Sequence, residues 1–273
     1  MVKKAIIPAA GYGTRNLPIT KVLPKEMMPI CGRPAIDYII DEAIKSGIEE
    51  VLIVVSRSKN MILDYYDHCP ELENHLEACG KHHLLKKLEL PKVHIQYVRQ
   101  PYARGLGDAI LLGKQFVGNE PFAVMLPDEI ILTEPKPALR QLIDLYNLQK
   151  GNILGLKKVD RKFLHKYGVV EPESRKDGFI KISDVIEKPD SSPPSDLAVI
   201  GRYVLEPAIF QLLEQIPTGK GGEIQLTDAI RRMLSDAPCY GVNILGTRFD
   251  IATLPDYVKL INQICGPSAA ADE

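Results

Sequence analysis

Val51-Leu52-Ile53-Val54-Val55 constrains this chain more than any other segment. Every position is apolar and polarity does not alternate, so as a strand it must be covered on both faces. Further runs of this kind, Lys4 to Ala9, His94 to Val98 and Phe122 to Leu126, are separated by helical patterns. Parallel strands joined by crossover helices produce that alternation. The clearest helix places Ile36, Ile39, Ile40, Ala43 and Ile44 on one stripe, starts after Pro34 and stops at Gly47. The chain to about residue 150 therefore reads as a doubly wound α/β unit.

Beyond it the pattern changes. Gly168-Val169-Val170, Phe179 to Val185 and Ala198 to Leu205 read as added, partly antiparallel strands between Pro, Asp and Ser turns, with helices near 207–214, 223–235 and 254–264. The expected whole is a mixed, mostly parallel sheet flanked by helices, in a single domain over 1–266. Between Asp67 and Pro91 lies a polar helical insertion with Leu72, Leu76, Leu84, Leu85 and Leu88 on a broken stripe. It and the late helix are expected contact surfaces of a homodimer or homotetramer. Ser191 to Ser195 is expected to be a surface loop, and 267–273 a flexible tail.

Composition excludes several classes of partner. Lys and Arg number 34 against 35 Asp and Glu, a net charge of -1, where a nucleic-acid track would need a basic domain. No apolar run approaches the ~20 residues of a membrane span, and the N-terminal stretch is too short for a signal peptide. Five cysteines, odd in number and without a CxxC, fit a reducing compartment better than a disulfide framework. A cytoplasmic protein is expected.

The segment richest in chemistry is Ala9-Ala10-Gly11-Tyr12-Gly13-Thr14-Arg15, directly after the first strand, continuing to Pro24-Lys25-Glu26-Met27. Glycines at a strand end let backbone N–H groups close on an anion. The dinucleotide fingerprint GxGxxG would need Gly at 16, where Asn16 stands, and Pro18 interrupts the helix that should follow. Arg15 and Lys25 are instead two cations suited to a triphosphate. The plainer alternative is a glycine turn with two solvated basic side chains.

Gly-Tyr-Gly-Thr-Arg followed by Pro-Lys-Glu-Met resembles the signature loop of sugar-1-phosphate nucleotidylyltransferases. Arg99-Gln100, Gly105-Leu106-Gly107, Leu126-Pro127-Asp128, Tyr167-Gly168-Val169-Val170, Glu187-Lys188-Pro189, Gly201-Arg202-Tyr203 and Glu223-Ile224-Gln225-Leu226-Thr227-Asp228 then follow in the order found in the bacterial UTP:glucose-1-phosphate uridylyltransferases. The resemblance implies a Rossmann-like mixed sheet and a reaction of UTP with glucose 1-phosphate giving UDP-glucose and pyrophosphate, with Mg²⁺ as cofactor. It places Ala10, Gly11, Gln100 and Gly105 at the uracil end, with Gly13 and Thr14 in the same nucleotide loop. Arg15 and Lys25 would serve the triphosphate and Lys188 the sugar phosphate. Gly168, Glu187 and Glu223 would meet the sugar, and Asp128 and Asp250 would hold the metal.

Such phosphoryl chemistry needs alignment and charge neutralisation rather than a general base, because a phosphate monoester is already largely ionised at neutral pH. Each residue also has a plainer reading: Asp250 as a turn residue, Glu187 and Lys188 as a surface pair, Glu223 as a first-turn acid. Two departures stand out. Asp108 occupies the place where most of the resembled enzymes carry His, and Ile251-Ala252 follow Asp250 in place of a small or Cys residue and Gly. Another nucleotide or sugar phosphate, and an inactive regulatory paralogue, remain the alternatives. His68, Cys69, His75, Cys79, His82 and His83 invite a zinc reading, but their spacing fits no usual ligand set.

Overall fold

The structure, a computed structural model, describes residues 1–176, 178–190 and 192–266. Ser191 of the expected surface loop and the expected tail over 267–273 lie outside the described residues. After β1 (Lys4–Pro8) the chain forms a small ribbon, β2 (Pro29–Ile30) with β3 (Arg33–Pro34), and enters α1 (Ala35–Ser46). Next come β4 (Glu50–Val55), α2 (Asn60–Tyr66), α3 (Pro70–Ala78), α4 (His82–Leu85), β5 (His94–Arg99), α5 (Leu106–Leu111), α6 (Lys114–Val117) and β6 (Phe122–Met125). The remainder runs β7 (Glu129–Leu132), α7 (Ala138–Gln149), β8 (Asn152–Lys158), β9 (Gly168–Lys176), β10 (Phe179–Glu187), β11 (Leu197–Leu205), α8 (Ile209–Gln215), α9 (Leu226–Met233), β12 (Cys239–Asn243), β13 (Thr247–Asp250) and α10 (Leu254–Ile264).

Successive side chains of a strand point to opposite faces, and here both faces are apolar. Ala5 and Ile7 of β1, with Val51, Ile53 and Val55 of β4, join one buried cluster, whereas Ile6 and Val54 join the other. The first cluster is closed by α1, α7 and α10, and the second by α5, α6, α8 and α9. The continuous apolar run at 51–55 is thus a central strand covered on both sides. Of the α1 stripe Ile36, Ile39, Ile40 and Ala43 are buried and Ile44 is half-buried, and Gly47 ends the helix at a φ of 91° that favours glycine.

Strand order in the main sheet is β5-β4-β1-β6-β11-β8-β12-β10-β9. β4, β5 and β6 join β1 in a parallel block, and β11 runs antiparallel beside β6, pairing Arg202 with Met125. The expected mixture of parallel and added antiparallel strands is what the sheet contains. The stretch 138–158, to which the sequence reading assigns no element, forms α7 and β8. Gly155 interrupts the apolar run of β8 because a Cβ there would lie 2.7 Å from Ile244 Cδ1 and 3.0 Å from Arg202 O.

The expectation that the cysteines stay unpaired is corrected at one pair. Cys31, in the turn between β2 and β3, is disulfide-bonded to Cys265 at the end of α10, with a Cα–Cα distance of 5.8 Å. A separation of 234 residues hides that pairing from any spacing rule. Cys69, Cys79 and Cys239 are free. The insertion forms α3, α4 and a 3-10 turn, with Leu76 buried and Leu72 exposed. Among the described residues no three His, Cys, Asp or Glu side chains come together as a metal group, and no helix is long and apolar enough to cross a membrane.

Candidate active site

The signature loop leaves the sheet where β1 ends, after Ala9 N donates to Val54 O at 2.8 Å. Gly13 takes a φ of 68°, and its carbonyl accepts from Thr20 Oγ1 at 2.8 Å, which closes the turn. Pro18 and Pro24 prevent a continuous helix. The segment folds instead as 3-10 turns at Thr14–Asn16, Ile19–Lys21 and Lys25–Met27, the first carrying Arg15 and the last Lys25.

Asp128 follows β6 and Asp250 ends β13. Pairing of Asp250 with Glu129, and the bond from Ile251 N to Asp128 O at 3.0 Å, hold the two segments side by side. Lys25 Nζ lies 2.6 Å from Asp128 Oδ2. Arg15 spans both carboxylates, at 3.6 Å from Asp128 and 3.2 Å from Asp250. Burial would raise the Asp128 pKa, but Lys25 and then Arg15 outweigh it and hold the carboxyl below its ordinary range. Burial would likewise lower Lys25, and Asp128 together with Glu26 more than reverses that. At the departure after Asp250, Ala252 N donates to Asp250 Oδ1 at 3.0 Å, so backbone fixes that carboxylate.

This cluster stands where two cavities meet. One, of about 540 Å³, is lined by Ala10, Gly11, Gly13, Thr14, Arg15, Lys25, Gln100, Gly105, Asp128 and Glu223. The other, of about 270 Å³, is lined by Arg15, Asp128, Gly168, Glu187, Lys188, Glu223 and Asp250. Every site residue expected from the sequence lines one of them, and Arg15, Asp128 and Glu223 line both. In the smaller cavity Glu187 accepts from Thr227 Oγ1 at 2.6 Å and pairs with Lys188 at 3.1 Å. A Cβ on Gly168 would stand 3.2 Å from Thr227 Oγ1 and 3.4 Å from Glu187 Oε2, so glycine keeps that wall open. Gly105 adopts a φ of 103°, and a Cβ there would meet Glu223 Cβ at 2.7 Å and Ile224 O at 2.8 Å, so the loops carrying Gly105 and Glu223 come together at the backbone of Ile224.

Behind the carboxylates lies a group that spacing did not single out. Arg202 is fully buried, and Glu42 accepts from its Nε at 2.9 Å and its Nη2 at 2.7 Å. The same guanidinium donates to Leu126 O at 3.2 Å and Glu129 O at 2.8 Å, the two ends of the turn bearing Asp128. Its signal in the sequence is a lone Arg inside the apolar run of β11. Glu129, which lines the smaller cavity beside Asp128, forms a two-pronged pair with Arg248 at 2.5 and 2.9 Å.

The nucleotidyl transferase family model matches residues 4–265 of 273. The chain belongs to the nucleotidyl transferase family. A UTP–glucose-1-phosphate uridylyltransferase of Staphylococcus epidermidis (strain ATCC 12228) is 46% identical over 261 residues, covering 94% of this chain and 90% of the relative. A UDP-glucose pyrophosphorylase solved in complex with UDP-glucose is 40% identical with a TM-score of 0.87, covering 97% of this chain and 99% of that one. A UTP-bound UGPase of Acinetobacter baumannii is 36% identical with a TM-score of 0.90, covering 98% and 95%. For a nucleotidyl transferase, a glycine loop bearing two cations beside two carboxylates is the chemistry the reaction asks for.

Proposed function

We propose that this chain transfers uridylyl from UTP to α-D-glucose 1-phosphate, giving UDP-glucose and pyrophosphate. The observation that carries the reading is the meeting of the two cavities at Arg15 and Asp128. A nucleotide in the larger and a sugar phosphate in the smaller would place two phosphates against one charge cluster. The relatives named for this reaction, 46% identical in one case over nearly the whole chain, support the choice of substrates.

In this reading a phosphate oxygen of the sugar phosphate attacks the α-phosphorus, and the bond from that phosphorus to the bridging oxygen of the β-phosphate breaks. Pyrophosphate leaves with the bonding pair, and no proton need move. Arg15 and Lys25 neutralise the triphosphate, and Lys188 takes the sugar phosphate. Glu187 and Glu223 accept from sugar hydroxyls, and Gly168 lets the sugar approach the backbone. Ala10, Gly11 and Gly105 shape the base end and Gln100 reads it, while Gly13 and Thr14 keep the loop tight. Asp128 and Asp250 are hard oxygen donors on adjacent segments, a set that fits Mg²⁺ completed by phosphate oxygens and water. That ion would supply counter-charge on the phosphates.

Residues 1–266 are read as one domain because the sheet runs through both halves. The cytoplasm and a homodimer or homotetramer belong to the same proposal, the latter checked by light scattering. Pyrophosphate release across a panel of nucleoside triphosphates and sugar phosphates tests the activity. UTP with glucose 1-phosphate is expected to give the highest kcat/KM, and a clear preference for dTTP or another sugar phosphate would replace these substrates. Nucleotide binding without turnover, unaltered in Asp128→Asn, would favour a regulatory paralogue instead.

A further inference from the structure

Gln100 lines the larger cavity and not the smaller one, and is 6% exposed. Its amide nitrogen donates to Gly105 O at 3.3 Å and to Asp108 Oδ2 at 2.7 Å. A primary amide nitrogen carries two protons, so both are used. Among the described residues nothing donates to the amide oxygen. It is not a buried orphan either, because the one buried side-chain polar atom lacking a partner among them is Glu26 Oε1. The Gln100 oxygen therefore keeps open surface on the cavity that the residue lines.

Asp108 is 4% exposed and does not line that cavity. Its second oxygen, Oδ1, is held by Arg104 Nη2 at 2.9 Å. A carboxylate accepts and does not donate. With the Gln100 amide turned over, two acceptor oxygens would face each other in a dry place and the nitrogen would point into the cavity unpaired. Arg104, itself largely exposed, pairs with the carboxylate on its other side.

We infer that Asp108 is a positioning residue for base selection: it locks the Gln100 amide so that the cavity offers the base an acceptor. Such a site takes a pyrimidine whose N3 carries a proton, as uracil does, and turns away cytosine, whose N3 is itself an acceptor. Sites that hydrogen-bond a substrate N–H reject analogues lacking it far more strongly than sites that merely fit a shape. The inference rests on the uridylyl-transfer reading above. It also gives the Asp at this position a task away from the phosphates.

The test compares kcat/KM for UTP and CTP at saturating glucose 1-phosphate. Wild type is expected to prefer UTP by roughly a hundredfold or more. Asp108→Asn, which can present either an oxygen or an NH₂ to Gln100, should lower that ratio at least tenfold. KM for UTP should rise, kcat should change less than about threefold, and KM for glucose 1-phosphate should stay put. In a Gln100→Ala background the same Asp108→Asn change should leave the ratio within about twofold. An unaltered ratio in Asp108→Asn, or an equal loss in the Gln100→Ala background, overturns the inference. Should Asp108→Asn fail to fold, calorimetry on wild type decides. 3-Deaza-UTP, with C–H in place of N3–H, should bind at least thirtyfold more weakly than UTP, and equal affinity overturns the proposal. Wild type that releases no pyrophosphate from UTP would instead remove the uridylyl-transfer reading itself.

Discussion

Arg202 shows how far a single side chain can govern a site it does not line. Its guanidinium is buried with Glu42 and braces both ends of the Asp128 turn. Removing one partner of a buried pair leaves the other charge without compensation, so Arg202→Met should destabilise by about 3–5 kcal/mol in urea denaturation. Glu42 also accepts from Leu139 N at 2.8 Å. Glu42→Gln added to Arg202→Met keeps an acceptor there while removing the stranded charge. The double variant should therefore be more stable than Arg202→Met alone, and equal stability would contradict this account of the pair. Asp128 gives a second prediction, with a sign set by its depressed pKa. A carboxyl more acidic in the folded state contributes stability that is complete above its ordinary value of 3.8 and is lost as pH falls through the lower folded value. Asp128→Asn should thus lower the urea midpoint at pH 7, with a deficit that shrinks as pH falls below 3.8, whereas a constant deficit across that range would point to packing instead. The cleft residues were legible because each sits in a short motif whose order along the chain is informative. Arg202 stands in such a motif too, but its bracing role does not show there, because its partner Glu42 lies 160 positions away and only the fold brings them together.

At the level of elements, what could be read was local and what was missed is long-range. The α1 stripe, the apolar strand at 51–55 and α10 follow from period and punctuation within a dozen residues. β7 and β13 are short and take their meaning from each other: their pairing sets Asp250 against Glu129, and neither segment alone shows that. The Cys31–Cys265 bond extends the same point, joining the β2–β3 turn to the end of α10, the helix that follows Asp250. Closing so long a loop limits the unfolded chain, and disulfides of this kind typically contribute about 2–4 kcal/mol. Dithiothreitol should lower the urea stability of wild type by that order and leave Cys31→Ser unchanged. If the reductant shifts both proteins equally, or neither, the bond is not what fastens α10.

The charge of the whole molecule is close to zero, yet its cleft gathers opposite charges within a few ångströms. Lys25 is paired to Asp128, and Arg15 to both Asp128 and Asp250. A divalent cation arriving alone would meet carboxylates already neutralised and two cations beside them. A triphosphate arriving alone would draw Arg15 and Lys25 away and leave two carboxylates facing its own negative charge. Arriving together, each ligand supplies the partner that the other displaces. Binding of both should therefore be cooperative, a coupling that linkage makes reciprocal. At a hundred times the dissociation constant a ligand stabilises by about 2.7 kcal/mol, equivalent to roughly 5–10 °C in a chain of this size. Thermal unfolding with UTP in EDTA, with Mg²⁺ alone and with both should show a joint shift in Tm larger than the sum of the separate ones. Replacing Lys25 by Met would free Asp128 in advance, so Mg²⁺ alone should then raise Tm further than it does in wild type. Simple additivity in wild type, with no gain for Mg²⁺ in Lys25→Met, would mean that cations and carboxylates in this cleft do not exchange partners.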